Sequence, residues 1–223
     1  MQITFIILGA GIGHRMISYE PRSLLKYKDK YLISHQIDQI KNTLKDDICP
    51  FFTLVTGYKH EKVVKKLKQE DVLIVNNPEY DTTNQIESVR RALNYEVGNN
   101  VCLIHGDIFF SEDFSKYDYT KSFCIVDNRG QLKDREVGIN YYDNKVNILS
   151  YGIEDKWAQI VYLTGKEFEL LQTICSFDNN YYLTFEIINK IIDLGGTFDI
   201  YLTESKLFEV DKIKDLKNEN TNS

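Results

Sequence analysis

The segment Ile3-Thr4-Phe5-Ile6-Ile7-Leu8 runs directly into Gly9-Ala10-Gly11-Ile12-Gly13, and this junction constrains the fold more than any other part of the chain. A nearly continuous apolar run is what a strand covered on both faces requires, and such strands belong to parallel sheets layered between helices. Glycines immediately after it let the backbone turn sharply and bring its N–H groups close to a ligand. The next hundred residues repeat the theme. Ile33, Ile37, Ile40 and Leu44 recur at helical spacing, with Ser34 placed as N-cap. Phe51 to Val55 reads as a second strand closed by Thr56-Gly57, Lys62 to Leu67 as a short charged helix, and Val72 to Val75 as a third strand. Ile86, Val89, Arg90 and Leu93 open another amphipathic helix, and Val101 to Ile104 forms a fourth strand that ends at Gly106-Asp107. This alternation predicts an α/β fold, with a mostly parallel central sheet flanked by helices.

Beyond residue 120 the pattern changes. Ser122 to Val126, Gly138 to Tyr142 and Val146 to Ser150 read as short strands, the last two joined by a hairpin turn at Asp143-Asn144. Gln159 to Leu163 is a further strand, Phe168 to Ile174 and Phe185 to Leu194 are helices, and Thr197 to Leu202 and Leu207 to Val210 return to strand. The expectation is one domain over residues 1–217. Residues 1–115 form its first half, residues 116–217 its second half with a small additional β region, and residues 218–223 a frayed polar tail.

Composition removes several classes. A chain that is 43% hydrophobic and 13% aromatic can bury a sizeable core and is not disordered throughout. Its 27 basic against 33 acidic side chains give a net charge of −6, which argues against a dedicated duplex-DNA binder, so no nucleic-acid partner is expected. No apolar run reaches the roughly 18 residues of a membrane-spanning helix. The first residues lack the basic flank of a signal peptide, so no membrane insertion and a cytoplasmic location are expected. Cys49, Cys102, Cys124 and Cys175 are widely separated and read as buried free thiols; with His14, His35, His60 and His105 equally scattered, no zinc spacing is present.

Ligands of open α/β sheets lie beyond the carboxyl ends of the strands. The loops after the first and third strands, Asp107 and Asp211 therefore form the candidate site. The Gly-rich loop alone leaves alternatives open, since it could merely close a strand or begin a dinucleotide-binding unit. The dinucleotide pattern expects an immediate helix and an acidic residue about 20 positions on, whereas Pro21 interrupts this region and Asp29 lies in a Lys-rich turn. A P-loop is excluded because no Gly-Lys-Ser/Thr follows.

Leu8-Gly9-Ala10-Gly11-Ile12-Gly13-His14-Arg15-Met16 followed by Pro21-Arg22-Ser23-Leu24-Leu25 resembles the signature of the GT-A-like nucleotidyltransferases, the MobA-like NTP transferases among them. That signature carries a lysine where this chain has Arg22. Arginine keeps the charge and changes its geometry. Thr56-Gly57-Tyr58-Lys59-His60-Glu61, His105-Gly106-Asp107-Ile108 and Phe208-Glu209-Val210-Asp211-Lys212-Ile213-Lys214-Asp215-Leu216 resemble later signature segments in the family order. Asn76-Asn77-Pro78-Glu79-Tyr80 with Asn84 and Ser88 resembles the version typical of the cytidylyltransferases related to CTP:phosphocholine cytidylyltransferase.

The resemblance implies a Rossmann-like GT-A fold whose first half binds nucleotide and whose second half binds the acceptor. It implies an Mg²⁺-dependent transfer of a nucleoside monophosphate from an NTP, CTP favoured, to a phosphorylated small molecule. Leu8, Gly9, Ala10, Gly11, Gly13, Gly106, Asn84 and Ser88 would bind the nucleotide. Arg15 would sit on the β- and γ-phosphates, Arg22 on the α- or acceptor phosphate, and Asp107 and Asp211 would hold the metal. The plain structural alternatives are that Asp107 caps a helix near Ser111, that Asp211 caps one at Lys212, that Asn84 is an N-cap, and that Arg15 is solvated. Acceptor contacts are expected in the aromatic second half, with Trp157 and Tyr182 as candidates. An aromatic cage would suit choline, but the family's choline-contacting tryptophan aligns near Val137. Three readings stay open: a cytidylyltransferase, a hexose-1-phosphate guanylyl-, uridylyl- or thymidylyltransferase, and a non-catalytic nucleotide-sensing domain. A homodimer is left open as well.

Overall fold

The structure is a computed structural model that describes residues 1–12, 20–95, 98–130, 132, 136–153, 155–176 and 181–210. Strand β1 (Gln2–Gly9) is followed, after a 3₁₀ turn at Arg22–Leu24, by a two-stranded hairpin of β2 (Lys26–Tyr27) and β3 (Lys30–Tyr31). Lys28 and Asp29 both have positive φ there, the backbone that a tight two-residue hairpin turn demands. Next come α1 (Leu32–Thr43), β4 (Cys49–Thr56), α2 (His60–Lys66), β5 (Leu73–Asn76), α3 (Gln85–Leu93), β6 (Asn100–His105) and β7 (Ile108–Phe110). The second half contributes β8 (Phe123–Asp127), β9 (Val137–Tyr142), β10 (Lys145–Tyr151), β11 (Asp155–Thr164), α4 (Gly165–Ser176), α5 (Thr184–Asp193), β12 (Asp199–Leu202) and β13 (Leu207–Glu209).

Nine strands form one sheet in the order β5-β4-β1-β6-β11-β8-β12-β10-β9. The four strands of the first half are parallel, with Leu8 of β1 opposite Val55 of β4 and His105 of β6. The later strands extend this same sheet and make it mixed, because β11 runs antiparallel to both β6 and β8. Asp143 and Asn144 carry the two positive φ angles of the β9–β10 hairpin, as that dipeptide predicts. In β11 the register shifts between Trp157 and Val161, and Gln159 inside the shift has φ +60.

Alternation along β1 divides the core in two. Phe5 and Ile7 point to a cluster with Ile33, Ile37 and Ile40 of α1 and Val63 of α2, whereas Ile6 points to a cluster with Ile86 and Val89 of α3, Leu171 of α4 and Ile187 of α5. A strand whose two faces are both covered must be apolar throughout, which is why β1 lacks the alternating pattern of a half-exposed strand.

The differences from the sequence expectation are local. Cys102, Cys124 and Cys175 are buried as expected, but Cys49 is exposed, because it opens β4 at the edge of the protein rather than in its core. Ser34 does not cap α1. It lies inside the helix, and its buried hydroxyl donates to the Glu70 carboxylate; Tyr31 takes the cap position. No helix begins at Ser111; the chain there forms a short turn at Phe114–Lys116, and Asp113 accepts from the Ser115 amide. The strands β2, β3 and β7 are too short to leave a periodic signal.

Candidate active site

The carboxyl ends of β1 and β6 open onto a cleft of about 400 Å³, lined on one side by Leu8, Gly9, Ala10, Gly11 and Ile12 and on the floor by His105, Gly106 and Asp107. The opposite wall comes from Asn77, Tyr80, Asp81, Thr83, Asn84, Gln85 and Ser88, with Leu183 reaching in from the second half. Eight of the fourteen site residues expected from sequence thus share one cavity: Leu8, Gly9, Ala10, Gly11, Asn84, Ser88, Gly106 and Asp107.

Close backbone approach shapes the rim. The Gly106 amide donates to the Leu8 carbonyl at 2.9 Å. A Cβ on Gly106 would lie 2.9 Å from that carbonyl oxygen and 3.2 Å from Gly9 Cα, so the ends of β1 and β6 can meet only with glycine there. On the other flank the Tyr58 amide donates to the Ala10 carbonyl at 3.0 Å. Gly57 is required in turn by Tyr80, whose side chain lies where a Cβ would stand, its own Cβ 2.5 Å away and the nearest ring carbon 2.6 Å away. The Thr56-Gly57-Tyr58 motif therefore seats both the Gly-rich turn and the Tyr80 wall.

The far wall is cross-braced. Buried Asn77 donates to the Ser88 hydroxyl at 3.2 Å and accepts from the Glu79 amide at 3.1 Å, which holds the loop after β5 against α3. Asn84 occupies the N-cap position of α3 without capping it; its amide group donates to the Tyr181 carbonyl at 2.5 Å. The Ile86 amide donates to the Tyr182 carbonyl at 3.0 Å. Gln85 Oε1 accepts both the Thr184 amide at 2.7 Å and the Thr184 hydroxyl at 2.8 Å. An N–H can only donate, so these bonds fix which end of the Gln85 amide is oxygen. They also commit the Thr184 proton, so His105 Nε2, 3.3 Å from Thr184 Oγ1, carries the hydrogen of that contact. The first turns of α3 and α5 are thereby tied together beside His105.

Behind this wall lies Glu87, fully buried on α3 and paired with Arg90 and Arg91 at 2.6 Å. Burial pushes its carboxyl up, and the hydrogen bonds and charges of the two guanidiniums outweigh that push, leaving it below the ordinary glutamate value.

Asp107 is 9% exposed at the cleft floor. Val210, the residue before Asp211, donates its amide to the Asp107 carbonyl at 2.8 Å, continuing the antiparallel pairing of β7 with β13. Asp211, Arg15 and Gly13 lie outside the described residues, as does the side chain of Arg22, whose backbone begins the 3₁₀ turn after Pro21. The two acceptor candidates fall elsewhere. Trp157 is 1% exposed in the core, where its ring meets His105 edge-on and its indole N–H reaches the Ile160 carbonyl. Tyr182 is half-buried against the same core and does not line the cleft.

The donor chemistry suits a hard cation that borrows ligands from its substrate. Asp107 offers carboxylate oxygen at the cleft, while no cluster of three or more His, Cys, Asp or Glu side chains able to hold an ion occurs among the described residues. Mg²⁺ is typically held by one or two carboxylates plus phosphate oxygens, and the Asp107 carboxylate is a ligand of that type.

This fold is shared with nucleotidyltransferases. CTP:phosphocholine cytidylyltransferase from Streptococcus pneumoniae superposes with a TM-score of 0.79 over 99% of each chain at 19% identity. A putative glucose-1-phosphate thymidylyltransferase from Bacillus anthracis gives 0.79 over 98% of this chain and 94% of that one at 17% identity. The inositol-1-phosphate CTP transferase from T. maritima gives 0.77 over 98% and 93%, also at 17%. The sequence itself matches the MobA-like NTP transferase domain over residues 5–117, half of the chain, and the protein belongs to that family. Among curated relatives, the bifunctional protein GlmU of Thermosipho melanesiensis is 30% identical over 207 residues, covering 89% of this chain and 42% of that protein. The corresponding protein of Blochmanniella pennsylvanica is 30% identical over 126 residues, covering 54% of this chain and 26% of that protein. The chain spans less than half the length of these relatives.

Proposed function

We propose that this protein transfers a nucleoside monophosphate from an NTP to a phosphorylated small molecule, with CTP favoured. A phosphate oxygen of the acceptor attacks the α-phosphorus, the bond from that phosphorus to the bridging oxygen of the β-phosphate breaks, and pyrophosphate leaves. The acceptor is already an anion, so the reaction needs no strong general base; it needs positioning and charge neutralisation. The observation that carries the reading is the convergence of the Gly9-Ala10-Gly11 backbone, the Asp107 carboxylate and the polar 77–88 wall on one cleft.

Each group has a role in this reading. The Gly-rich backbone lies against the triphosphate, with Arg15 and Gly13 completing that contact. Asn84 and Ser88 face the ribose or base, and Arg22 steadies charge at the reacting phosphates. Asp107 and Asp211 would hold Mg²⁺, which when bound neutralises phosphate charge and polarises the α-phosphoryl oxygens. CTP is favoured by the Asn84 to Ser88 spacing, and two of the structural neighbours above are CTP transferases by name. A hexose-1-phosphate acceptor with another NTP is the second reading. It is favoured by Gly106-Asp107, at a strand end that reads Gly-Asp or Ala-Asp in the family; here a Cβ at position 106 would lie 2.9 Å from the Leu8 carbonyl oxygen.

The test is pyrophosphate release with Mg²⁺ for CTP, UTP, GTP, dTTP and ATP, each against phosphocholine, phosphoethanolamine, inositol phosphate and sugar 1-phosphates. Turnover with one pair names both substrates. Tight NTP binding without turnover favours a nucleotide-sensing domain, and absence of any NTP binding refutes the reading.

A further inference from the structure

Gln36 lies on the apolar stripe of α1, one residue from Ile37 and three from Ile33, and is 1% exposed. A glutamine so buried needs a compensating role, since an apolar side chain would fill the same volume without desolvating an amide. Its amide nitrogen donates to two backbone carbonyls, His105 at 3.0 Å and Ile108 at 2.7 Å. These two residues bracket the Gly106-Asp107 turn. Here the chain leaves the central sheet at the end of β6 and enters β7, so its carbonyls pass out of one hydrogen-bond ladder before the next begins. A primary amide nitrogen carries two hydrogens, one for each carbonyl. Both neighbours are acceptors, which fixes the orientation of the amide. The Gln36 oxygen is buried with no hydrogen-bond partner among the described residues, so the side chain is retained for its donors.

The turn is held from other sides as well. The Gly106 amide is bound to Leu8, and the Asp107 carbonyl accepts from Val210. Those contacts tie it to β1 and to the strand beyond β7, and Gln36 ties both of its ends to α1. We propose that Gln36 is a positioning residue that sets the aim of the Asp107 carboxylate by clamping the two carbonyls on either side of it. The proposal rests on the nucleotidyltransferase reading for the use to which Asp107 is put. The clamp itself stands on geometry alone.

The test uses Gln36→Met, which keeps length and bulk and has no donor, Gln36→Glu, which sets an acceptor against two carbonyls, and Gln36→Asn, a shorter donor. Binding of CTP and UTP is measured by calorimetry with and without Mg²⁺, beside kcat and KM. Outer-sphere partners of a metal carboxylate typically contribute 10- to 100-fold, so Gln36→Met is expected to lose about tenfold of the Mg²⁺-dependent gain in NTP affinity and about tenfold in kcat. Metal-free NTP affinity and circular dichroism are expected to stay unchanged, Gln36→Glu to fall further, and Gln36→Asn to recover part of the loss. A Gln36→Met protein that only melts earlier, with the Mg²⁺ gain and kcat intact, overturns the proposal, and so does an equal loss of metal-free and metal-bound affinity. If the wild-type protein binds no NTP, the functional reading fails instead. The clamp is then read by amide exchange at Gly106 and Asp107, expected about tenfold faster in Gln36→Met while the rest of β6 is unaltered; unchanged exchange at the turn overturns it. If none of the variants folds, the Gln36 side-chain amide of the wild type decides: slow exchange of its two hydrogens, with through-bond coupling to the His105 and Ile108 carbonyls, supports the clamp, and fast exchange without coupling overturns it.

Discussion

Around the ends of β1 and β6 the chain places glycines and small polar side chains, and their close contacts leave a cleft open. Across β8, β11 and β12 it places aromatic rings, and they close the space. Phe123, Trp157 and Tyr162 are all buried, Phe123 stacks on Tyr162 with centroids 5.1 Å apart, Tyr119 packs edge-on against both of those stacked rings, and Tyr117 lies tilted against Phe123. The comparison teaches that abundance of a residue type does not locate a site. The buried rings of the second half serve as core while Tyr142, Tyr151 and Tyr181 stay exposed, and the first half builds its cavity from backbone and hydrogen-bonded amides.

The contrast can be broken by substitutions on either side of it. Asp107→Asn is expected to have the largest effect, a fall in turnover of about 10²- to 10³-fold with the fold intact, because one charge at the reacting phosphates is removed. Steady-state pyrophosphate release beside circular dichroism checks it. Trp157→Ala is expected to destabilise by about 3–5 kcal/mol. The milder Trp157→Phe is expected to leave the acceptor KM unchanged while lowering the denaturation midpoint; a raised acceptor KM at unaltered stability would return Trp157 to the binding site. Gly106→Ala inserts a methyl against the Leu8 carbonyl and is expected to cost about 1–3 kcal/mol by overpacking, with reduced NTP affinity as the sharper readout.

The smallest effect concerns acid. The folded-state value of the Glu87 carboxyl is depressed by Arg90 and Arg91, so its contribution is fully present above the ordinary glutamate value. That contribution is lost as pH falls from there through the folded value. Urea midpoints of wild type and Glu87→Gln are therefore expected to differ at neutral pH and to converge below the ordinary glutamate range.

The legible parts of the sequence were those in which local chemistry already dictates geometry. The apolar run of β1 and the Asp143-Asn144 turn each have one physical solution, and the structure adopts it. Six rim residues could be named because they lie at or just past strand ends, and Asn84 and Ser88 because they match a family segment. The hidden parts depend on partners far away in the chain. The pairing of β7 with β13 joins three-residue segments about a hundred positions apart, too short for any periodic pattern. The Gln85–Thr184 bond spans the two halves. One missed residue did leave a trace, since Gln36 is a polar residue on the apolar stripe between Ile33 and Ile40, a position that asks what its amide is bonded to.

The most direct measurement is ³¹P NMR of the wild-type protein with Mg²⁺, the NTP and the acceptor identified in the substrate panel. The account predicts that the α-phosphorus signal of the NTP moves into a new phosphodiester–diphosphate product as pyrophosphate appears in equal amount. Appearance of orthophosphate without that product, or an unchanged NTP spectrum in the presence of every acceptor, would contradict it.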